Sequence, residues 1–294
     1  MNRQLYGLIM LLAVVAGGYG AQKASVIPDE AKVEKLAGNG QYAQVNGITL
    51  YYEVQGQGEP VLLLHGGCVS MESFRPQIPE LAKSFKVISV DSRGHGRSSD
   101  ANTPLSYQLM SSDFVKLLEH LKIDSAHIIG WSDGGCTALY MAIHYPKTVR
   151  KLVLVGTPFE ANGVTEEFME LTRTLSAETW PDAFKEIADA HKALSPEGPD
   201  HWPVLVSKLR AMWLSSPNYS ATELARIQSP ALILVGDHDV IRIEHTIQLF
   251  NSIPGAQLCI LPKASHFVLS EKPSMSNQII ADFLKEAGQG SGHR

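Results

Sequence analysis

Gly130-Trp131-Ser132-Asp133-Gly134 constrains the fold of this chain more than any other stretch. A serine with glycine two residues to either side suits a tight turn from strand to helix, where the hydroxyl is exposed, the backbone is strained and larger neighbours would clash. The flanks agree, because residues 126–129 read as a strand and 136–144 as a helix. The pentapeptide alone is common by chance. Its weight comes from three other signals. Residues 61–67 are an apolar strand running into Gly66-Gly67, a loop that can bring a backbone NH beside the serine. Residues 231–235 are another apolar run, ending in Gly236 and the acids Asp237 and Asp239. Ser265-His266-Phe267 follows near the C-terminus.

A serine hydroxyl is a poor nucleophile until a base accepts its proton. Among the eleven histidines His266 fits this task, since a short loop after the strand at 257–261 returns it to the sheet edge that carries the turn. His65 and His95, in glycine-flanked loops near the same edge, compete with it. Asp237 and Asp239 can each orient the imidazole, with Glu160 a remote third. Two NH groups must stabilise the carbonyl oxygen as it gains charge: that of Asp133, and that of Gly67 or the adjacent Cys68.

The rest of the pattern predicts an α/β fold. Residues 42–45 and 48–54 around Asn46-Gly47 read as a hairpin with a tight turn. Short apolar runs at 61–64, 86–90, 126–129, 152–155, 231–235 and 257–261 alternate with helical patterns such as 107–121 and 243–253. Such alternation predicts a mainly parallel twisted sheet with helices on both faces. About seventy residues without strand signal then separate 156 from 231, too long for a plain loop. They carry helical patterns at 166–175, 180–194 and 202–214, with Pro181 and Pro203 near two of the starts. The division expected is a core of 41–158 and 229–288, a helical cap at 159–228 and a C-terminal tail at 289–294.

Residues 1–20 read as a signal peptide, with Arg3 ahead of an apolar core and Gly18-Tyr19-Gly20 as a small-x-small cleavage pattern; an uncleaved anchor is the alternative. Residues 21–40 read as a linker. Export, to a periplasm or beyond, is the expected location. Removing residues 1–20 moves the formal charge from −5 to −6, which gives nucleic acid nothing to bind. Three cysteines cannot all pair, so Cys68 and Cys136 are expected as buried small hydrophobes even if they are neighbours. His191 and His201 have no cysteine or carboxylate partner at ligand spacing and read as surface residues, with no metal implied.

With these residues in view, the chain resembles α/β-hydrolase-fold serine hydrolases over roughly 41–288. Asp91-Ser92-Arg93-Gly94-His95-Gly96-Arg97-Ser98 is similar to the D-x-R-G-x-G-x-S loop common there, and the serine turn is similar to that of valacyclovir-hydrolase-like enzymes and many bacterial esterases. The order Ser, Asp, His matches the superfamily's triad. The resemblance implies Ser132, Asp239 and His266 as the catalytic residues, with Asp239 selected because the acid stands three residues after the strand's final glycine. It implies structural roles for His65 and His95, a cap that roofs the substrate pocket, and no cofactor. It also implies that Asp133 can bind a substrate ammonium; neutralising the helix N-terminus is its simpler task.

Serine where epoxide hydrolases and haloalkane dehalogenases carry aspartate argues for acyl transfer. Hydrolysis of a carboxylic ester or lactone is the leading expectation, the partner being a bulky, partly apolar small molecule, with a macrolide-type lactone among the candidates. Amide hydrolysis, carbon–carbon hydrolysis and cofactor-free perhydrolysis use the same triad. A hydrolase-fold receptor with little turnover is the alternative of another class. Trp131, Trp180, Trp202 and Trp213 are the candidates for an apolar lining, against the simpler reading that they pack cap onto core.

Overall fold

The computed structural model describes residues 40–286. The signal-peptide and tail assignments lie outside the described residues, as does nearly all of the linker. The described chain forms an eight-stranded sheet in the order β1-β2-β4-β3-β5-β6-β7-β8. β1 (Gln41–Val45) and β2 (Ile48–Gln55) form the hairpin, with Asn46 and Gly47 at φ 43° and 77°, the left-handed values that a two-residue turn needs. β2 pairs antiparallel with β4 (Phe85–Val90). The remaining pairs are parallel and use β3 (Glu59–Leu64), β5 (Ala126–Trp131), β6 (Val149–Val155), β7 (Ala231–Gly236) and β8 (Gln257–Leu261).

Every residue of β5 and β7 is buried, which explains why these strands read as unbroken apolar runs: helices cover both faces. α1 (Ile78–Leu81) packs on one face with later helices α9 (Val268–Glu271) and α10 (Pro273–Lys285). α2 (Tyr107–His120), α3 (Asp133–His144) and α8 (Ile243–Ser252) pack on the other. Register sets the functional edge. Leu64 stands opposite Gly130, Trp131 opposite Val155 and Gly236 opposite Leu261, so the loops after β3, β5, β6, β7 and β8 emerge together.

Between β6 and β7 lie α4 (Glu166–Thr174), α5 (Lys185–Leu194), α6 (Trp202–Trp213) and the short α7 (Ala221–Leu224). The helix expected over 180–194 starts later. Pro181 is extended at ψ 132°, and a proline disfavours helical backbone in the residue before it, so a 3-10 turn at Asp182–Phe184 precedes α5. Pro203 stands in the first turn of α6, where its missing NH costs nothing.

The surface assignment of His191 and His201 is corrected by the structure: both are buried. His191 Nε2 lies 3.2 Å from His201 Nδ1, and His201 Nε2 lies 2.9 Å from Asp100 Oδ2, which Lys208 also reaches at 2.6 Å. The carboxylate partner absent at short spacing comes from a core loop about a hundred positions away. These contacts fasten the helical segment to the core.

Candidate active site

Ser132 sits between β5 and α3 at φ 55° and ψ −118°, a strained conformation for a residue other than glycine. Close packing holds it there. A Cβ on Gly134 would lie 1.9 Å from the Leu64 carbonyl oxygen, so only glycine lets the helix start this near β3. The Ser132 NH is anchored to the Val155 carbonyl at 2.9 Å.

His266 follows β8, and its Nδ1 lies 2.8 Å from Asp239 Oδ1. That oxygen also accepts the Ile241 NH at 2.9 Å, which fixes the carboxylate. Burial alone would lower the His266 pKa, but the charge and hydrogen bond of Asp239, helped by Asp133 and Glu271, raise it above the ordinary value. Two further residues support the loop. Glu271 accepts the Ser265 NH and hydroxyl, each at 2.7 Å, and the Trp131 indole donates to the His266 carbonyl at 2.9 Å.

The competing groups are occupied elsewhere. Asp237 is exposed and holds His238 at 2.7 Å and the Ala264 NH at 3.1 Å. Glu160 pairs its backbone with Asn218. His65 accepts the Ser92 NH at Nε2 and lies 2.7 Å from the Gly66 carbonyl through Nδ1, while His95 Nδ1 lies 2.9 Å from the Arg93 carbonyl. Both imidazoles shape loop backbone. The three cysteines are free, with Cys68 and Cys136 buried.

Ser132 and His266 line one cavity of about 180 Å³. Its walls are mainly apolar and come from the helical segment as well as from the core, among them Phe168, Leu171, Phe184 and Ile241. Gly67 and Cys68 also line it. Trp131, Trp180 and Trp213 are part of the lining. Trp202 is not: it is 2 % exposed, packed edge-on against Trp180 and beside His191, and its place among the substrate-binding candidates is withdrawn. As the first residue of α6, its side chain fills the interior of the helical segment.

Asp133 is buried with its carboxylate already engaged. Tyr107 Oη donates to Oδ1 at 2.8 Å, and Trp213 Nε1 reaches Oδ1 at 2.9 Å and Oδ2 at 2.8 Å. Burial raises its pKa while these two donors pull it down. Nothing in the sequence pointed to Tyr107, which reads as an ordinary residue of an amphipathic helix. Among the described residues no group of three or more His, Cys, Asp or Glu side chains is arranged to hold a metal ion.

Several buried histidines give the fold an acid limit. Burial pushes His65 and His245 down to about 4, and burial with neighbouring imidazoles pushes His95 and His191 down to about 3. Each binds fewer protons folded than unfolded, so its contribution is complete above pH 6.5 and is lost as pH falls below it, by about 1.4 kcal/mol per pH unit. Asp91, raised to about 6 by burial, acts in the opposite sense below that pH, whereas His266, raised by Asp239, changes its contribution only above pH 6.5 and leaves the slope below it unaltered. Four histidine slopes less that of Asp91 predict a net loss of at most about 4 kcal/mol per pH unit and a Tm that falls by several degrees per unit as the pH drops below 6.5. Calorimetry between pH 7 and 5 measures this. His191→Gln should flatten the slope, and an unchanged Tm would refute the account.

Comparison with known proteins agrees with the geometry. The family described as alpha/beta hydrolase fold matches residues 59–193. Serine hydrolase BPHL of Mus musculus is 30 % identical over 253 residues, 82 % of this chain and 84 % of that protein. The chain belongs to the α/β-hydrolase family. It is therefore an enzyme of that superfamily, and its mostly parallel sheet is the superfamily's sheet. The 2-hydroxymuconate semialdehyde hydrolase of a Pseudomonas species is 26 % identical over 260 residues, covering 82 % of this chain and 92 % of its own. A solved structure described as an N-acyl homoserine lactone degrading enzyme superposes with a TM-score of 0.70 at 25 % identity, covering 83 % of this chain and all of that one.

Proposed function

We propose that this enzyme hydrolyses carboxylic esters or lactones of mainly apolar small molecules through an acyl-enzyme. The observation that carries the reading is the 2.8 Å contact of His266 with Asp239 at the mouth of β7 and β8, with His266 and Ser132 on the wall of one apolar cavity. Ser132 Oγ attacks the carbonyl carbon while His266 takes its proton, and Asp239 holds the imidazole in the needed orientation and balances the charge it acquires. The NH groups of Asp133 and Gly67 stabilise the oxyanion. His266 then protonates the leaving alcohol. Water repeats the sequence on the acyl-enzyme and releases the acid, restoring Ser132.

The lining favours this reading over carbon–carbon hydrolysis, which uses the same triad. Among the described residues no lysine or arginine lines the cavity, so a substrate carboxylate would meet no permanent cation, and Asp133 would repel it. Likeness to the lactone-degrading structure supports keeping lactones among the substrates. The mainly apolar lining of a cavity of about 180 Å³ supports an apolar acyl or lactone group, and a macrolide-type lactone stays among the candidates. Export belongs to the same reading and rests on the apolar run at 5–16.

A panel of p-nitrophenyl esters and acyl lactones tests it. At about 0.8 kcal/mol per buried CH₂, kcat/KM should rise about tenfold from acetate to butyrate and decline for chains too long for the cavity. Anionic acyl groups should be poor substrates. Preference for acetate would remove the apolar pocket, preference for anionic acyl groups would favour the carbon–carbon reading, and binding without turnover would favour a receptor.

A further inference from the structure

We propose that Tyr107, Asp133 and Trp213 form a clasp through which the docked helical segment positions the oxyanion hole, with Trp213 as the positioning residue. The proposal rests on the hydrolase reading above. The clasp joins three element ends: Tyr107 begins α2, Asp133 begins α3 and Trp213 ends α6. All three hydrogen bonds converge on the Asp133 carboxylate. Two come from the helical segment through one indole NH, and the third comes from the core.

The contact with Gly67 makes this more than packing. A Cβ on Gly67 would lie 2.4 Å from Asp133 Oδ2 and 2.5 Å from Trp213 Cζ2. The loop that offers the second oxyanion NH therefore rests directly on the carboxylate and the indole. The first NH belongs to Asp133 itself. Both donors are held by the same three side chains, and Trp213 brings the helical segment to them.

The charge gives the clasp a second consequence. A carboxylate this near the oxyanion opposes the charge that develops in the transition state. Hydrogen bonds from Trp213 and Tyr107 disperse it. When α6 lifts away the carboxylate loses two of its three hydrogen bonds, and the loop loses the surface it rests on. The hole is then misplaced and opposed by bare charge, so productive chemistry is confined to the docked state. A partnered Asp133 is thus a link in the fold, whereas the resemblance alone implied a site for substrate ammonium.

Trp213→Phe keeps a ring and removes the donor; Tyr107→Phe removes the core donor. Each is measured for kcat and KM on p-nitrophenyl butyrate, and for affinity toward a trifluoromethyl ketone, which forms an oxyanion adduct with Ser132, and the matching methyl ketone, which mimics the ground state. Because the variants act on the hole indirectly, Trp213→Phe should lower kcat and trifluoromethyl ketone affinity about tenfold each, less than the roughly 10²-fold loss of a direct donor. KM and methyl ketone affinity should move less than threefold. Tyr107→Phe should show the same split at about threefold, and the double variant should lose less than the product of the two. If KM rises and methyl ketone affinity falls by as much as kcat falls, Trp213 is a pocket wall and the clasp is wrong. Near-UV circular dichroism reports folding; should Trp213→Phe unfold, Tyr107→Phe and Asp133→Asn decide by the same split. A wild-type protein that neither turns over the esters nor binds the trifluoromethyl ketone overturns the hydrolase reading and the clasp with it, whereas an active wild type with unsplit variants overturns the clasp alone.

Discussion

Ser132→Ala is expected to lower kcat by about 10⁶-fold and to abolish labelling by a fluorophosphonate, while the protein still folds and binds ligand. The size follows from removing the nucleophile of a triad whose members act as a unit, leaving only what binding and oxyanion stabilisation provide. Folding should survive because the Ser132 side chain makes no cap to α3, and alanine keeps the backbone bonds that fix the turn. The φ of 55° is equally strained for either residue. Cys68, which lines the same cavity, is the rival nucleophile. Burial, reinforced by Asp133, pushes its thiol well above the ordinary range, so it stays protonated and unreactive. Mass spectrometry of the labelled wild type should therefore place the adduct on Ser132. Label on Cys68, or none on a folded wild type, would defeat the assignment.

Asp239→Asn should lower kcat by about 10⁴-fold at unchanged fold, as loss of the orienting acid does in other serine triads. The structure makes the substitution a clean test of charge. Asp239 Oδ1 serves His266 and the Ile241 NH, whereas the buried Oδ2 has no hydrogen-bond partner among the described residues. An asparagine can put its carbonyl on the first side and its amide on the second, and lose only the negative charge. The imidazole would then lack what raises its pKa above the ordinary value, and the acid limb of the pH–rate profile should move down. Asp237→Asn should change kcat less than threefold, because that carboxylate is exposed and bound to His238. The opposite ranking, read from purified and melted variants, would reassign the triad acid.

The turn at Ser132 and the strand runs were legible in the sequence because they answer to local physics. A strand buried on both faces must be apolar along its length, and a sharp strand-to-helix turn admits only small neighbours at 130 and 134. The same holds for the Asn46-Gly47 hairpin, whose backbone angles few other residue pairs adopt. The start of α5 was misread because a helical apolar period does not reveal that Pro181 delays the first turn.

What the sequence by itself determined is the α/β class, the chain order of serine, acids and histidine, and the apolar character of whatever the helical segment encloses. Tertiary structure alone decided which charges meet. His201 finds Asp100, Trp213 finds Asp133, and Trp202 turns inward away from the cavity, each across a sequence distance over which no periodicity acts. A buried polar group must be partnered, but hydrogen bonding is a demand on space and leaves no trace in spacing along the chain. Periodicity records which face of an element is buried. Only the packing of elements selects the neighbour that face will meet.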